Sequence, residues 1–365
     1  MTDNPFTGAP GREETTPGVF SEAEVGLANR NSGAFLEMLS LDVTPVGAHY
    51  LLTHFDVPLL EEGAHRVVFD GAFEAPFEMS LEEVKAAPKV TMPVTMECAG
   101  NGRTGMKPRP FSMPWSYEAV GTAEWTGTPL APLIERAKPQ AGVVDFAFEG
   151  ADFGYDKGVG HAFGRSLTPE QLADLEVLLV YEMNGQPLLP QHGAPLRLIV
   201  PGWYGMASVK WLSRITAMTE RYQGFQQVET YRFRQAADEP GEPVTEIKVK
   251  SLMVPPGVPD WITRKRWLSP GKVTLQGRAW SGAGVPVERV EVRIGDTWHE
   301  AEVEAPLGRY AWSGWSFEWE AEPGHYRLAC RATDTNGNVQ PLEAEWNLSG
   351  FANNTLHEVE VFVGD

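Results

Sequence analysis

The sequence predicts an α+β protein in which a mixed domain of strands and short helices is followed by an all-β sandwich. Three observations carry that prediction. Strand-like runs and capped short helices are irregularly interspersed up to about residue 235, a Pro/Glu/Gly-rich run interrupts them at 236–243, and about 120 residues of short alternating strands follow. A chain of 365 residues also exceeds what one hydrophobic core usually supports, so two domains are expected.

The elements are justified in order. Residues 1–30 are polar, with scattered Pro, Gly and Glu, and read as a loosely ordered arm. The first domain is placed at 31–237. Within it, Ser80-Leu81-Glu82-Glu83 and Thr168-Pro169-Glu170-Gln171 are capping boxes, the second with proline at the first helical position, and each predicts a short helix. The clearest strands are Val90 to Glu97, Val143 to Glu149, Val177 to Glu182 and Leu196 to Val200. The run from Ala236 to Pro243 is a linker by composition. The second domain, 243–365, is predicted from Val273 to Trp280, Val287 to Ile294, His325 to Thr333 and Leu356 to Val363, with Asn336-Gly337 as a hairpin turn. Trp312, Trp315 and Trp319 read as core of that sandwich.

Composition limits the function. Thirty Lys and Arg against 49 Asp and Glu give a net charge of −19, which argues against nucleic acid and anionic membrane surfaces as partners. The opening Met1-Thr2-Asp3-Asn4-Pro5 has no basic or apolar export signal, and no run of about 18 apolar residues occurs, so the expectation is a cytoplasmic protein without membrane spans. Two cysteines exclude a disulfide framework, a four-cysteine zinc site, iron–sulfur clusters and c-type haem attachment. Cys330 lies in an alternating strand and reads as a buried structural thiol. The eight histidines form no metal-binding motif, and Gly158-Val159-Gly160 lacks the context of a dinucleotide loop.

Cys98 is then the residue to explain. It ends the extended run Val90 to Glu97 and opens the glycine-rich loop Ala99-Gly100-Asn101-Gly102-Arg103, which presents a thiol at a strand end. Cysteine is a nucleophile or metal ligand only as thiolate, and Arg103 is spaced to lower its pKa or to hold an anion beside it. A second constellation is Gln191 to Gly202 followed by Ala207-Ser208-Val209-Lys210-Trp211, which sets His192, Arg197, Ser208 and Lys210 around one apolar strand. Arg197 in such a run must meet either an anion or a carboxylate, for which Glu182 is available. A cysteine-nucleophile hydrolase would need a histidine beside Cys98, and spacing implies none.

Together these segments resemble the sulfite oxidase family of molybdenum enzymes. The resemblance rests on Thr44-Pro45 leading to His54, on Met96 to Arg103, on Gly121-Thr122-Ala123-Glu124-Trp125-Thr126-Gly127, on Phe148 to Asp152, and on Tyr181 to Leu188 running into His192-Gly193. Ala279 to Gly282, Arg289 to Val292, Thr297-Trp298, Ala332 to Asp334 and Trp346-Asn347 resemble the family's immunoglobulin-like dimerisation domain.

The resemblance implies molybdenum held by one molybdopterin and the Cys98 thiolate, with no haem. It implies cofactor binding by Thr53, His54, Phe55, Asp152, His192, Arg197, Ser208 and Lys210. It implies Arg103, Trp115 and Tyr222 around a small oxyanion substrate. The implied reaction is oxygen-atom transfer, sulfite to sulfate, with electrons passed to an external acceptor such as a cytochrome, from a homodimer. Oxygen-atom removal from S-oxides, N-oxides or nitrate is the alternative at the same site. A non-catalytic protein of the same fold would have no use for Cys98 together with Arg197 and Lys210. The sequence departs from the resemblance at Leu52, Ser349 and Glu358, where relatives carry arginine.

Overall fold

The computed structural model describes residues 20–364. The first 19 positions of the expected arm lie outside the described residues. The rest of that arm is not loose, because Ser21 and Glu24 form a capping box that starts helix α1 (Glu22–Arg30). The signature is the one read at Ser80 and Thr168, concealed here by a polar composition. Glu24 is fully buried and meets the two guanidinium nitrogens of Arg109 at 2.5 and 3.2 Å, which docks the helix.

Helices α2 (Leu81–Ala86) and α4 (Pro169–Asp174) start at the two predicted capping boxes, and α3 (Ala131–Ala137) lies between them. The strands of this half are β1 (Arg66–Gly71), β2 (Phe77–Ser80), β3 (Val90–Glu97), β4 (Val120–Pro129), β5 (Asp145–Asp156), β6 (Val159–Leu167), β7 (Leu178–Met183), β8 (Gln186–Pro187), β9 (Arg197–Ile199) and β10 (Leu212–Met218). They form two sheets. One has the order β2-β1-β10-β5-β6, with β1 and β10 parallel; the other runs β3-β4-β7-β8, with β9 also on β7. The antiparallel register of β3 on β4 runs from Val90 opposite Gly127 to Glu97 opposite Val120, so Cys98 is the first residue past the ladder, where its N–H donates to Ala119 at 2.9 Å.

The linker is folded back on itself. Short strands β11 (Arg232–Phe233) and β12 (Glu242–Pro243) pair across it, and Arg232 Nε donates to the Pro240 carbonyl at 2.5 Å.

The second half holds β13 (Lys250–Met253), β14 (Val258–Pro259), β15 (Arg266–Leu268), β16 (Gly271–Trp280), β17 (Val287–Ile294), β18 (Thr297–Glu300), β19 (Glu302–Val303), β20 (Ser313–Ala321), β21 (Gly324–Asp334) and β22 (His357–Val363). Sheets of order β13-β16-β20-β19 and β14-β15-β22-β21-β17-β18 enclose a core that includes Leu275, Trp315, Trp319, Val290, Leu328, Cys330 and Val361. Trp315 and Trp319 are therefore sandwich core as expected, and Cys330 is a packed structural thiol. Trp312 is not in that core. It precedes β20 at the end of the sandwich that faces the first domain, donates from Nε1 to the Asp42 carbonyl at 2.8 Å, and joins the first domain's core with Trp280, Phe351 and Ala352. Asn336-Gly337 does form a turn, held by the Asp334 carboxylate, but it leads only to a single bridge between Thr333 and Val339.

Replacing Arg109 by Met leaves the enclosed Glu24 carboxylate without its partner. The expected cost is about 3 kcal/mol or more, the range for breaking a buried ion pair. A urea midpoint unchanged from the parent would show that α1 is not docked through this pair.

Candidate cofactor site

Cys98 sits where β3 leaves its ladder and the chain turns through a glycine-rich loop. Gly100 is required there by close approach: a Cβ on it would lie 2.5 Å from the Arg103 guanidinium. Burial pushes the Cys98 thiol above its ordinary pKa and the Glu97 charge adds to this, while the Arg103 charge, the Gly100 N–H and the Trp115 indole act in the opposite direction. The Trp115 indole nitrogen is buried and has no other partner. This set of donors around a desolvated sulfur favours the thiolate once a positive centre shares the site.

A cavity opens from the sulfur. Its walls contain Cys98, His54, Asp152, His192, Arg197, Ser208 and Lys210, seven of the residues expected there, brought together from separate elements. Arg197, at the start of β9, donates to the carbonyls of His192 (2.8 Å) and Ser208 (3.1 Å) and lies over the Trp125 ring at 4.9 Å. Its Nε is buried without a partner, and it makes no ion pair with Glu182. Lys210 donates to the carbonyls of Leu52 and Gln191, both at 3.0 Å, and to the Thr53 hydroxyl at 3.3 Å. Asp152 lies within the irregularity in the pairing of β5 with β6, between Glu149 and Phe153, and Gly150 permits its placement, since a Cβ there would be 2.5 Å from Asp152 Oδ1 and 2.6 Å from the Lys210 carbonyl.

The electrostatics are unbalanced. Arg103, Arg165, Arg197 and Lys210 are all largely buried, and among the described residues none has a carboxylate within ion-pair distance. Burial pulls Arg165 and Arg197 down to about 10 and, with Arg197 beside it, Lys210 to about 7. Burial likewise raises Asp152 to about 6. Unpaired buried cations each cost several kcal/mol, so the arrangement suits an anionic ligand. The unpartnered Arg197 Nε, Asp152 Oδ1 and His49 Nε2 are the polar atoms such a ligand can satisfy.

The remaining expected residues are placed less directly. Thr53 reaches the site through its hydroxyl bond to Lys210, and Phe55 packs edge-on to His161 at 5.3 Å and is not among the lining residues. Arg103 is next to Cys98, but its guanidinium is committed to the carbonyls of Met113 (2.6 Å) and Ser349 (2.8 Å). Tyr222 is not in the cavity wall. Its hydroxyl stands against Gly164, and its backbone N–H donates to Asp145. The tyrosines in the wall are Tyr50 and Tyr231, and the Tyr231 hydroxyl shares a 2.8 Å hydrogen bond with His54 Nε2. His49, Tyr50 and Tyr231 were missed by sequence reasoning. A lone histidine or tyrosine in an irregular segment has no periodicity or motif to mark it. Behind Trp115, a second groove runs between residues 28–37 and 113–118 of the first domain and 263–266 and 357–360 of the second. Glu358 lines it and is paired with Arg293.

Fold and site together define a two-domain protein with buried positive charge gathered around a buried thiol. The family model described as "Oxidoreductase molybdopterin binding domain" matches residues 54–226, and that of the "Mo-co oxidoreductase dimerisation domain" matches 242–364. The chain is 33% identical over 345 residues to the mitochondrial sulfite oxidase of Macaca fascicularis, covering 88% of this chain and 62% of that protein. It is 31% identical over 351 residues to the NADH nitrate reductase of Solanum lycopersicum, covering 88% of this chain and 38% of that protein. It thus spans about three-fifths of the first relative's length and well under half of the second's. The sulfane dehydrogenase SoxCD from Paracoccus pantotrophus has the same fold, with a TM-score of 0.77 at 22% identity over 98% of this chain and 96% of that one. The chain belongs to the molybdopterin-dependent oxidoreductases of the sulfite oxidase family. Among the described residues no helix is long and apolar enough to cross a membrane.

Burial holds His49 at about 4 and His192 and His357 at about 3, so in the folded cofactor-free protein all three stay neutral well below the 6.5 of the unfolded chain. The unfolded state therefore takes up protons first, and stability present above about pH 6.5 is lost as pH falls towards 4, by up to about 1.4 kcal/mol per pH unit for each histidine. Urea midpoints of the cofactor-free protein at pH 7.5 and pH 5 measure this. Equal midpoints would contradict the burial of these neutral rings.

Proposed function

We propose that the chain is a sulfite oxidase-type oxidoreductase that oxidises sulfite to sulfate and passes the electrons to a separate acceptor. The observation that carries this is one buried thiol in the same region as buried Arg103, Arg165 and Arg197 and the half-buried Lys210, none of which has a carboxylate partner among the described residues. In this reading Cys98 ligates molybdenum, and Arg197, Lys210, Ser208, His192, Asp152, His54 and Thr53 hold the pterin and its phosphate. When bound, the cofactor supplies a transferable oxygen atom and accepts two electrons. The protein residues bind and orient. Arg103, fixed by two carbonyls, contributes a stationary positive charge beside the sulfur, suited to a sulfite oxyanion arriving along the groove behind Trp115. Trp115 closes the site from that side and excludes water. Tyr231 offers a hydroxyl in the cavity, and we assign to it the hydrogen bond to the reacting oxygen that the resemblance gives to Tyr222.

The second domain acts as an immunoglobulin-like dimerisation module, and the acidic surface suits a basic region on an electron acceptor such as a cytochrome. Cytoplasmic residence, a homodimer and the absence of haem belong to the same proposal. Reduction of nitrate or an S-oxide is the second reading, favoured by Leu52 and Ser349, which leave the site two arginines short of the family pattern.

Two expectations test the assignment. Protein from a host competent in molybdopterin synthesis contains about one molybdenum per chain and reduces an artificial acceptor in a sulfite-dependent manner. Cys98→Ser loses at least about three orders of magnitude of that activity while retaining much of the pterin. Full activity of the Ser variant excludes the thiolate ligand, and nitrate-dependent oxidation of a reduced dye without sulfite turnover selects the second reading. Tyr231→Phe lowers kcat by about ten-fold or more, the scale of one positioned donor, whereas Tyr222→Phe changes it less than about three-fold. The reverse ranking returns the role to Tyr222.

A further inference from the structure

The second domain sends a charge into the first. Lys250, on β13, is 1% exposed, and its ammonium donates to Glu97 Oε1 (2.8 Å), the Asn353 carbonyl (2.8 Å) and the Asn101 carbonyl (3.3 Å), which uses all three protons. Glu97 is the residue before Cys98 and is itself 1% exposed. Its Oε1 also accepts from Asn101 Nδ2 at 3.0 Å, and its Oε2 accepts from the indole of Trp280, another second-domain residue, at 2.9 Å. The same domain closes on the cysteine loop at three further points. The Ala352 N–H donates to the Ala99 carbonyl (2.7 Å), Asn353 Nδ2 donates to the Gly102 carbonyl (2.6 Å), and the Ser349 carbonyl accepts from Arg103 Nε (2.8 Å).

A buried ion pair contributes little net stability, because desolvation offsets its Coulomb attraction, so this one calls for another reason. Its position supplies one. An uncompensated carboxylate one residue from a thiolate ligand would oppose accumulation of negative charge on the ligated centre, and an uncompensated ammonium would favour it. We propose that Lys250 is a positioning residue for Cys98, fixing the cysteine loop from the second domain and cancelling the Glu97 charge beside the metal ligand. The sandwich is then part of the redox site as well as a means of association. This rests on the cofactor reading above.

The test uses the molybdenum-loaded protein and three variants: Lys250→Gln, Glu97→Gln, and the double Glu97→Gln/Lys250→Gln. Removing Glu97 alone leaves a positive charge and shifts the reduction midpoint of the metal upward. The double variant is neutral, as the parent pair is, and brings the midpoint back towards the parent. Lys250→Gln leaves a negative charge and shifts the midpoint downward, or lowers metal content where the loop no longer holds. Should that variant fail to fold, the other two decide the matter. Midpoints of Glu97→Gln and the double variant that both equal the parent's at full metal content overturn the proposal, leaving the pair purely structural. A parent protein without molybdenum overturns the cofactor reading and this inference together.

Discussion

The structure is organised around positive charge buried beside a thiol. Arg103, Arg165, Arg197 and Lys210 come from four separate segments, and among the described residues none has a carboxylate partner. Such a site is costly in the protein alone, and the cost is partly offset by aromatic faces. Arg103 lies over Phe351 at 5.5 Å, Phe351 stacks on Tyr231 at 5.1 Å, and Arg165 lies over Tyr231 at 5.6 Å, so two guanidinium groups bracket an aromatic pair beside the cavity. Cation–ring contacts of this kind return about 1 to 2 kcal/mol each when desolvated, less than unpaired burial costs. The remainder is available to an anionic ligand, and binding it to the folded state alone stabilises that state by mass action.

The two halves are joined more closely than a linker between independent domains would suggest. The core of the first half continues through Trp280, Trp312, Phe351 and Ala352 of the second. Phe351 belongs to both the interface and the aromatic stack at the site. One face of the second domain therefore completes the loop that presents Cys98.

Legibility in the sequence followed locality. Strands β3 and β17 begin and end at the predicted residues, and α2 and α4 begin at their capping boxes, because period-2 alternation and cap chemistry are set by neighbours in the chain. The same cap chemistry was present at Ser21 and was masked by the polar composition around it. The ordered motifs singled out residues that the fold brings together, seven of them in the wall of one cavity. What motifs did not convey was the partner of each side chain. On residue types alone the two Arg197 alternatives are equivalent; the resemblance selects the anion, and the structure shows no ion pair between Arg197 and Glu182. Tyr222 and Tyr231 are nine positions apart in an irregular segment, and only the fold of the π-helical turn Gln226–Thr230 determines which hydroxyl meets His54. Glu97 and Lys250, 153 positions apart, had no local signature at all.

The departures at Leu52 and Ser349 have a structural sense. At both positions the backbone carbonyl is engaged where the resemblance leads one to expect a side-chain guanidinium: Leu52 accepts from Lys210 Nζ at 3.0 Å and Ser349 from Arg103 Nε at 2.8 Å. The chain thus ties the cations it has rather than adding more. An arginine held by two carbonyl acceptors is fixed in orientation, and it acts as a preorganised charge whose orientation costs nothing at the moment of reaction. Under the proposed function, such a site recognises its substrate by field and shape more than by paired hydrogen bonds. Discrimination among small oxyanions then falls to the groove behind Trp115, where Glu118 and Glu358 stand near Arg264 and Lys265.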